Sequence, residues 1–253
     1  MQRWVPRFRF VATLAVVLVI CSLPFQSRAE EDAAIVTKLE GTAHVYVKNH
    51  KKGTVLHQGD RVRKGQEIKV GDRSRIELRF PDGTVMRFAE RSKVKMDDLH
   101  YDTKTQEKNV RVDFGGGKLW ARVKKLFTPD SKVEVKTVNA VAGVRGTVYR
   151  VNVDEDNSAT VKVYDGTVYV AGRQQGSAEA AAPTGAPVEV QGPHEVPPPY
   201  HQVTMEEWTV IVKSFQQVTI SPQGVASKPE DFNPQQDMDD WVKWNQERDK
   251  QLQ

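Results

Sequence analysis

Apolar and polar residues alternate with a period of two over most of residues 33–173. This stretch therefore reads as a series of short strands, each with one dry and one wet side. Residues 35–39 and 43–47 begin the series, and Asn49-His50-Lys51-Lys52-Gly53, Gly59-Asp60 and Gly71-Asp72 mark turns. Arg75-Ile76-Glu77-Leu78-Arg79-Phe80 alternates strictly. Pro81-Asp82-Gly83-Thr84 then reverses the chain into Val85-Met86-Arg87-Phe88, which predicts a hairpin. Val94 with Met96, Val110 with Val112 and Phe114, Leu119 with Ala121 and Val123, and Val133 with Val135 keep the period against charged neighbours.

The pattern is clearest over residues 136–170. Val138 and Val141 lead to Gly143 and Gly146, and residues 147–153 set Tyr149, Val151 and Val153 against Arg150 and Asn152. Asp154-Glu155-Asp156-Asn157-Ser158 turns the chain into a strand over 160–164. Asp165-Gly166 then predicts a two-residue hairpin turn into Val168 and Val170. Gly-Thr-Val occurs at residues 53, 83, 146 and 166, each time opening a strand. The unequal spacings of 30, 63 and 20 residues argue against a strict solenoid repeat and fit stacked turn-strand units. The predicted fold class is all-β: a twisted β-solenoid or roll of short strands over 33–173, followed by a linker and a small helical tail.

Past Arg173 the character changes. Residues 174–199 hold six of the 13 prolines and predict a semi-rigid linker. In the C-terminal segment, 200–253, Thr204 with Glu207 resembles a capping box for a short helix through Met205, Trp208, Ile211, Val212 and Phe215. The β-branched run Thr209-Val210-Ile211-Val212 suits a strand as well. A terminal helix is predicted over about 234–250, with Asn233 as cap, Pro234 at the first helical position, and Met238, Trp241, Trp244 and Arg248 along one side. Trp241 and Trp244 either dock this helix on the β-domain or offer a face to a partner.

Charge changes the picture through the first 29 residues. Arg3, Arg7 and Arg9, an apolar run over 11–25 and the small residues Ser27 and Ala29 form the three parts of a secretory signal, with cleavage expected after Ala29. The run is 15 residues long and broken by Pro24, whereas a spanning helix needs roughly 20. Cleavage removes four arginines, and Cys21 with them, leaving 33 basic and 33 acidic residues and no disulfide. The expected location is periplasmic or secreted, with no bulk attraction for nucleic acid. Residues 30–173 carry 28 basic and 21 acidic residues, and 174–253 carry 5 and 12, so the tail is complementary to the β-domain and is expected either to lie across it or to be separately solvated at physiological salt.

Candidate chemistry is sparse. Phe114-Gly115-Gly116-Gly117-Lys118 lacks the phosphate-loop pattern, since Val112 and Leu119 stand where Gly and Ser or Thr are needed, and it predicts a bulge or turn. The six histidines show no metal-ligand spacing, Asp154-Glu155-Asp156-Asn157 lacks a downstream bidentate Glu, and Asp97 and Asp98 point to opposite sides of a strand. No catalytic, cofactor or metal residue is assigned. Lys118, Trp120, Arg122, Lys124 and Lys125 mix charge with an aromatic ring. They read either as a surface for an anionic polymer or as the wet side of a strand; with Trp241 and Trp244 they make the candidate partner surface. In Gly143-Val144-Arg145-Gly146-Thr147 the two glycines would let the Arg145 guanidinium reach carbonyls or a carboxylate within the fold.

Ala140-Val141-Ala142-Gly143-Val144-Arg145-Gly146-Thr147-Val148-Tyr149, with the strand 133–137 before it and Val163-Tyr164-Asp165-Gly166-Thr167-Val168 after it, resembles the signature of the FecR domain. Gly59-Asp60, Gly65, Ser74-Arg75-Ile76-Glu77-Leu78 and Asp82-Gly83-Thr84 resemble that domain's first half, so the likeness covers about 33–170. FecR proteins sense a partner in the periplasm and regulate a sigma factor through a cytoplasmic segment. Only ten residues precede the apolar run here, so the resemblance is expected to extend to the part outside the membrane alone. It implies an all-β module of a Gram-negative envelope that recognises a macromolecule, with Gly143, Arg145, Gly146, Thr147, Asp165 and Gly166 as signature residues. It also implies a tail, Trp241 to Asp249, similar to that of some stand-alone secreted relatives. The function expected is non-catalytic binding, signalling or scaffolding toward an envelope protein or anionic polymer. The alternatives are a carbohydrate-active or wall-modifying enzyme and a structural protein that self-associates through a strand edge.

Overall fold

The computed structural model describes residues 32–172 and 210–252, apart from 51, 103, 106, 126 and 127. The leader expected over 1–29 and the linker over 174–199 lie outside the described residues.

The chain moves repeatedly between two sheets, A and B. It enters with β1 (Ala33–Glu40) in A and crosses to β2 (Ala43–Tyr46) and β3 (Thr54–Val55) in B. β4 (Arg61–Arg63) returns to A and β5 (Glu67–Val70) to B. The hairpin of β6 (Arg75–Arg79) and β7 (Val85–Phe88) lies in A, and β8 (Lys93–Asp102) in B. The long strand β9 (Glu107–Arg122) belongs to both. After it, β10 (Lys132–Lys136) and β11 (Ala140–Val144) lie in B, and β12 (Val148–Val153) and β13 (Ala159–Asp165) in A. β14 (Thr167–Gly172) and β15 (Val210–Lys213) follow in B, then β16 (Gln216–Ile220) and β17 (Glu230–Asp231) in A, before the helix α1 (Asp240–Lys250). Hydrogen bonding orders sheet A as β4-β1-β6-β7-β9-β12-β13-β16-β17. Sheet B runs β3-β2-β5-β8-β9-β10-β11-β14-β15. The all-β expectation holds. Neighbours are antiparallel except β9 and β10, so the architecture is a two-sheet roll rather than a coil of parallel rungs.

β9 changes sheets at Gly115-Gly116-Gly117, the stretch that breaks its alternation. Its first half pairs with β8 and β10, its last residues with β7 and β12. Gly117 has φ +99°, and a side chain there would meet the Ser92 Cα at 2.9 Å, so backbone conformation and close approach both require glycine.

The Gly-Thr-Val echo has a structural cause at three of its four places. Asp165-Gly166 does not close a hairpin: β13 and β14 lie in different sheets, and the turn is a corner between them. Gly143 is buried in β11, and Gly146-Thr147 forms the corresponding corner from β11 to β12. The two corners stack, with the Thr147 hydroxyl donating to Thr167 O at 3.1 Å and a Cβ on Gly166 falling 3.2 Å from Thr147 Cα. Residues 123–125 stack below, where Val123 N donates to Thr147 O at 2.9 Å, and Ser214 stacks above, its Oγ accepting from Gly166 N at 3.0 Å. The Lys124 amide donates to the Thr84 hydroxyl at 3.1 Å, which brings the β6–β7 turn into the same pile. These are stacked turn-strand units, folded back and forth.

The apolar positions fill the space between the sheets as one continuous core. Leu78, Met86, Leu119 and Val161 from sheet A join Val94, Val112, Val135 and Val168 from sheet B, and Phe88 meets Phe114 with ring centroids 6.0 Å apart. The strands continue past Arg173. β15 pairs with β14 and β16 with β13, so residues 210–220 extend both sheets. Of the two readings of Thr209-Val210-Ile211-Val212, the strand is found from Val210 onward, because Val212 fills the core while Ile211 and Lys213 face out.

Candidate functional site

The outer side of sheet A carries a polar row. Register places Glu77 opposite Arg87, Arg87 opposite Trp120, Trp120 opposite Arg150 and Arg150 opposite Lys162. Each occupies a wet slot between two core residues, as Arg87 does between Met86 and Phe88. Water nevertheless does not reach the first four: Glu77 and Arg87 are 0% exposed, Trp120 1% and Arg150 5%, while Lys162 at the end of the row is half-buried. The C-terminal residues lie across the row.

That covering segment begins with a turn at Asn233, whose side chain accepts from Gln235 N at 2.9 Å and whose carbonyl accepts from Gln236 and Asp237 amides. The helix predicted from about 234 starts only at Asp240, capped by Asp239 rather than Asn233: the Asp239 carboxylate accepts from Val242 N at 2.7 Å. The delay has a visible cause. Asp237 is held to the sheet by Arg150, Lys162 and Tyr164, which fixes the chain before a helical turn can form. Asp240 in the first turn and Arg248 and Lys250 in the last suit the helix dipole. The helix turns Trp241, Val242 and Asn245 onto the sheet, where Trp241 and Val242 pack with Ala89 and Trp120 and the Asn245 side chain accepts from Arg87 Nη1 at 3.4 Å.

A second carboxylate anchors the far end. Asp249 accepts from Arg87 Nη1 at 2.7 Å and Trp120 Nε1 at 3.0 Å, and its carbonyl accepts from Arg122 Nη1 at 2.7 Å. Glu77 answers in the opposite sense. It accepts from Arg87 Nε at 2.6 Å, Arg248 Nη2 at 2.8 Å and the Thr37 hydroxyl at 2.6 Å. Burial alone would push its carboxyl up, but the hydrogen bonds from Arg248, Thr37 and Arg87, with the Arg87 charge, hold it down at about 2. Burial, followed by the hydrogen bond to Asp237, raises the Tyr164 phenol. Trp241 stacks on Trp244 with centroids 5.5 Å apart, and the Arg75 guanidinium lies 4.4 Å from the Trp244 ring centre.

The seat is incompletely matched. Arg87 Nη2, Arg150 Nε and Nη1, Asn152 Oδ1 and Trp241 Nε1 are buried with no hydrogen-bond partner among the described residues. Beside the helix start lies an open groove of about 890 Å³, bordered by Arg75, Glu90, Gly116, Asn152 and Trp241.

The structure separates the residues of the predicted partner surface. Trp120 and Arg122 are engaged by the tail and are not part of an exposed patch. Lys118 is exposed, its Nζ 3.6 Å from Asp239, and Lys124 and Lys125 are exposed at the stacked corners. Trp241 is buried on the sheet and Trp244 half-buried, so this pair docks the helix. Arg145 does not reach a carbonyl or carboxylate of the fold. It is exposed and makes no hydrogen bond or ion pair with the described residues, because Gly146, at φ +78°, turns the chain at that corner and leaves Arg145 on its outer side. Asp165 is exposed as well. Asp97 and Asp98 each face a lysine, Lys95 at 3.0 Å and Lys64 at 2.7 Å. Among the described residues no three side chains gather as a metal site, and no helix is long and apolar enough to cross a membrane. Sequence reasoning missed Glu77, Arg87, Arg150, Asp237 and Asp249. The available signal was the hairpin over 75–88, which already sets Glu77 across from Arg87.

The family model described as FecR protein matches residues 66–169, from the residue before β5 into β14. Comparison with curated proteins gives no match. Crystal structures at 1.65 and 2.50 Å of a candidate anti-sigma factor from Parabacteroides distasonis ATCC 8503 are each similar at 18% identity and a TM-score of 0.42. The match covers 67% of this chain and 61% of that one.

Proposed function

A FecR domain spans residues 66–169 of this chain, and on that premise we propose that the protein is a non-catalytic binding and signalling module, exported to the bacterial envelope, whose partner is an envelope protein or anionic polymer. The family match over the strands that build the row is the observation that carries this reading. Two others support it. The sequence begins with the three parts of a secretory signal. Among the described residues, the carboxylates whose pKa is displaced, Glu40, Glu77, Asp97, Asp102 and Asp156, are all displaced downward, whereas a glycosidase acid needs one raised. Ion pairs and an aromatic stack suit recognition rather than proton transfer. In-cell crosslinking followed by affinity purification and mass spectrometry tests it. Recovery of one envelope component reproducibly above a leaderless control is expected, and recovery of none overturns the reading.

A second reading has its own observation. β15 hydrogen-bonds β14 on one side only among the described residues, with Ile211 50% exposed and Phe215 53% exposed beside it. Such an edge can pair with a second copy. A sedimentation series in which the mass stays monomeric at all concentrations removes this option.

A further inference from the structure

Among the described residues, five of the six buried side-chain polar atoms that lack a hydrogen-bond partner belong to four residues beside the same contact, that between sheet A and the tail: Arg87, Arg150, Asn152 and Trp241. The sixth, the Tyr149 hydroxyl, is in the core. Orphaned buried polar atoms are costly, and a permanent cover would be expected to satisfy them or to be apolar. The tail does so only in part. Trp241 and Val242 pack on Ala89 and Trp120, with Met238 and Trp244 beside them, and the rest of the attachment is polar: Arg87, Arg150 and Lys162 meet the Asp237 and Asp249 carboxylates, Arg122 the Asp249 carbonyl, and Arg248 reaches Glu77. Buried ion pairs largely offset their own desolvation, so the number of these bonds does not make the cover tight.

We propose that the outer face of sheet A is a docking surface for an acidic, aromatic-bearing segment of a partner protein, and that the C-terminal residues of this chain occupy it as a stand-in. The surface and such a segment are chemically complementary. Arg87 Nη2 and Arg150 Nε have N–H groups left to give, Arg150 Nη1 lies 3.9 Å from the Asp239 carboxylate without a hydrogen bond, and the Trp120 indole N–H at the centre of the row is given to Asp249. A segment with two carboxylates spaced as Asp237 and Asp249 are, and further acceptors between them, makes the bonds that the tail leaves unmade. One tryptophan face against Ala89 and Trp120 supplies the apolar contact. Partner and tail then compete for one surface, and the free energy of tail docking sets the threshold for binding.

This inference rests on the binding-module reading, and the test separates the two. The probe is a fluorescein-labelled peptide of residues 233–253, titrated by anisotropy into the full-length chain and into the full-length Asp237→Asn/Asp249→Asn variant, whose own tail is weakened. Each charge-assisted bond lost from the resident tail should favour the probe by roughly tenfold. Binding to the variant at least about tenfold tighter than to the native chain is expected, together with an equal loss when the same two aspartates are replaced in the peptide. No saturable binding to a variant with native circular dichroism, or binding indifferent to the aspartates, overturns the proposal. Should the double variant fail to fold, the single variant Asp249→Asn gives the same comparison in a smaller step. Doubling of the sedimenting mass of the variant chain without peptide would make the occupant the tail of a second copy and overturn the partner segment. A partner crosslinked elsewhere on the protein, with no peptide binding here, sinks this inference alone; peptide binding with no partner recovered from cells sinks the binding-module reading instead.

Discussion

Gly117 and Glu77 show how single residues decide the shape of the site. At Gly117 the chain must pass between sheets at φ +99° with the Ser92 backbone 2.9 Å from where a Cβ would stand. Gly117→Ala should therefore destabilise the fold by about 1–3 kcal/mol, read as a lowered thermal midpoint. Glu77 is held at about 2, below its ordinary 4.5, by Arg248, Thr37 and Arg87 against the opposing effect of burial. A depressed carboxyl contributes stability that is fully present above about pH 4.5 and is lost as pH falls toward 2. Glu77→Gln should then cost on the order of 3 kcal/mol at pH 7, and the difference from the native chain should shrink between pH 4.5 and 2 in urea unfolding. A difference that stays constant over that window contradicts the assignment. Period-two alternation put Glu77, Arg87, Trp120 and Arg150 on the wet side, and their slots were legible for that reason. Their burial was not, because it depends on a tail more than 80 residues away in sequence from the last of them.

At the scale of elements, α1 is held at both ends by aspartates and in the middle by Trp241 and Val242. Its start depends on one cap. Asp239→Ala should remove about 1 kcal/mol of helix stability and speed amide exchange in the first turn, at Val242 and Lys243, while leaving β12 and β13 protected. Equal acceleration in the sheet would mean that helix and sheet open together. The capping signal Asn233-Pro234 was a sound local cue and does make a turn. What displaced the helix to Asp240 is tertiary: Asp237 binds three sheet residues. Asp165-Gly166 teaches the same lesson. Local chemistry specifies a tight reversal, but hairpin and corner differ only in which sheet the next strand joins, and that choice is made by Thr147 and Ser214 stacked on either side.

Over the whole molecule, a two-sheet roll carries one polar side, and that side is covered by the chain's own acidic tail. The charge complementarity of the two regions, 28 basic and 21 acidic against 5 and 12, was visible in composition. The docked tail gives it a place, with carboxylates on Arg87, Arg150 and Lys162. The roll itself followed from alternation and glycine-bearing turns, while the sharing of β9 between sheets required knowing which strands its two halves meet. The central claim is that this protein, whose residues 66–169 match the FecR family model, works by contact with a partner outside the cytoplasm. The direct measurement is photo-crosslinking in intact cells from a probe at Lys118, exposed at the rim of the covered face, with adducts identified by mass spectrometry. One recurrent envelope protein joined at that position is the result the account predicts; adducts to cytoplasmic proteins alone, or none, would contradict it.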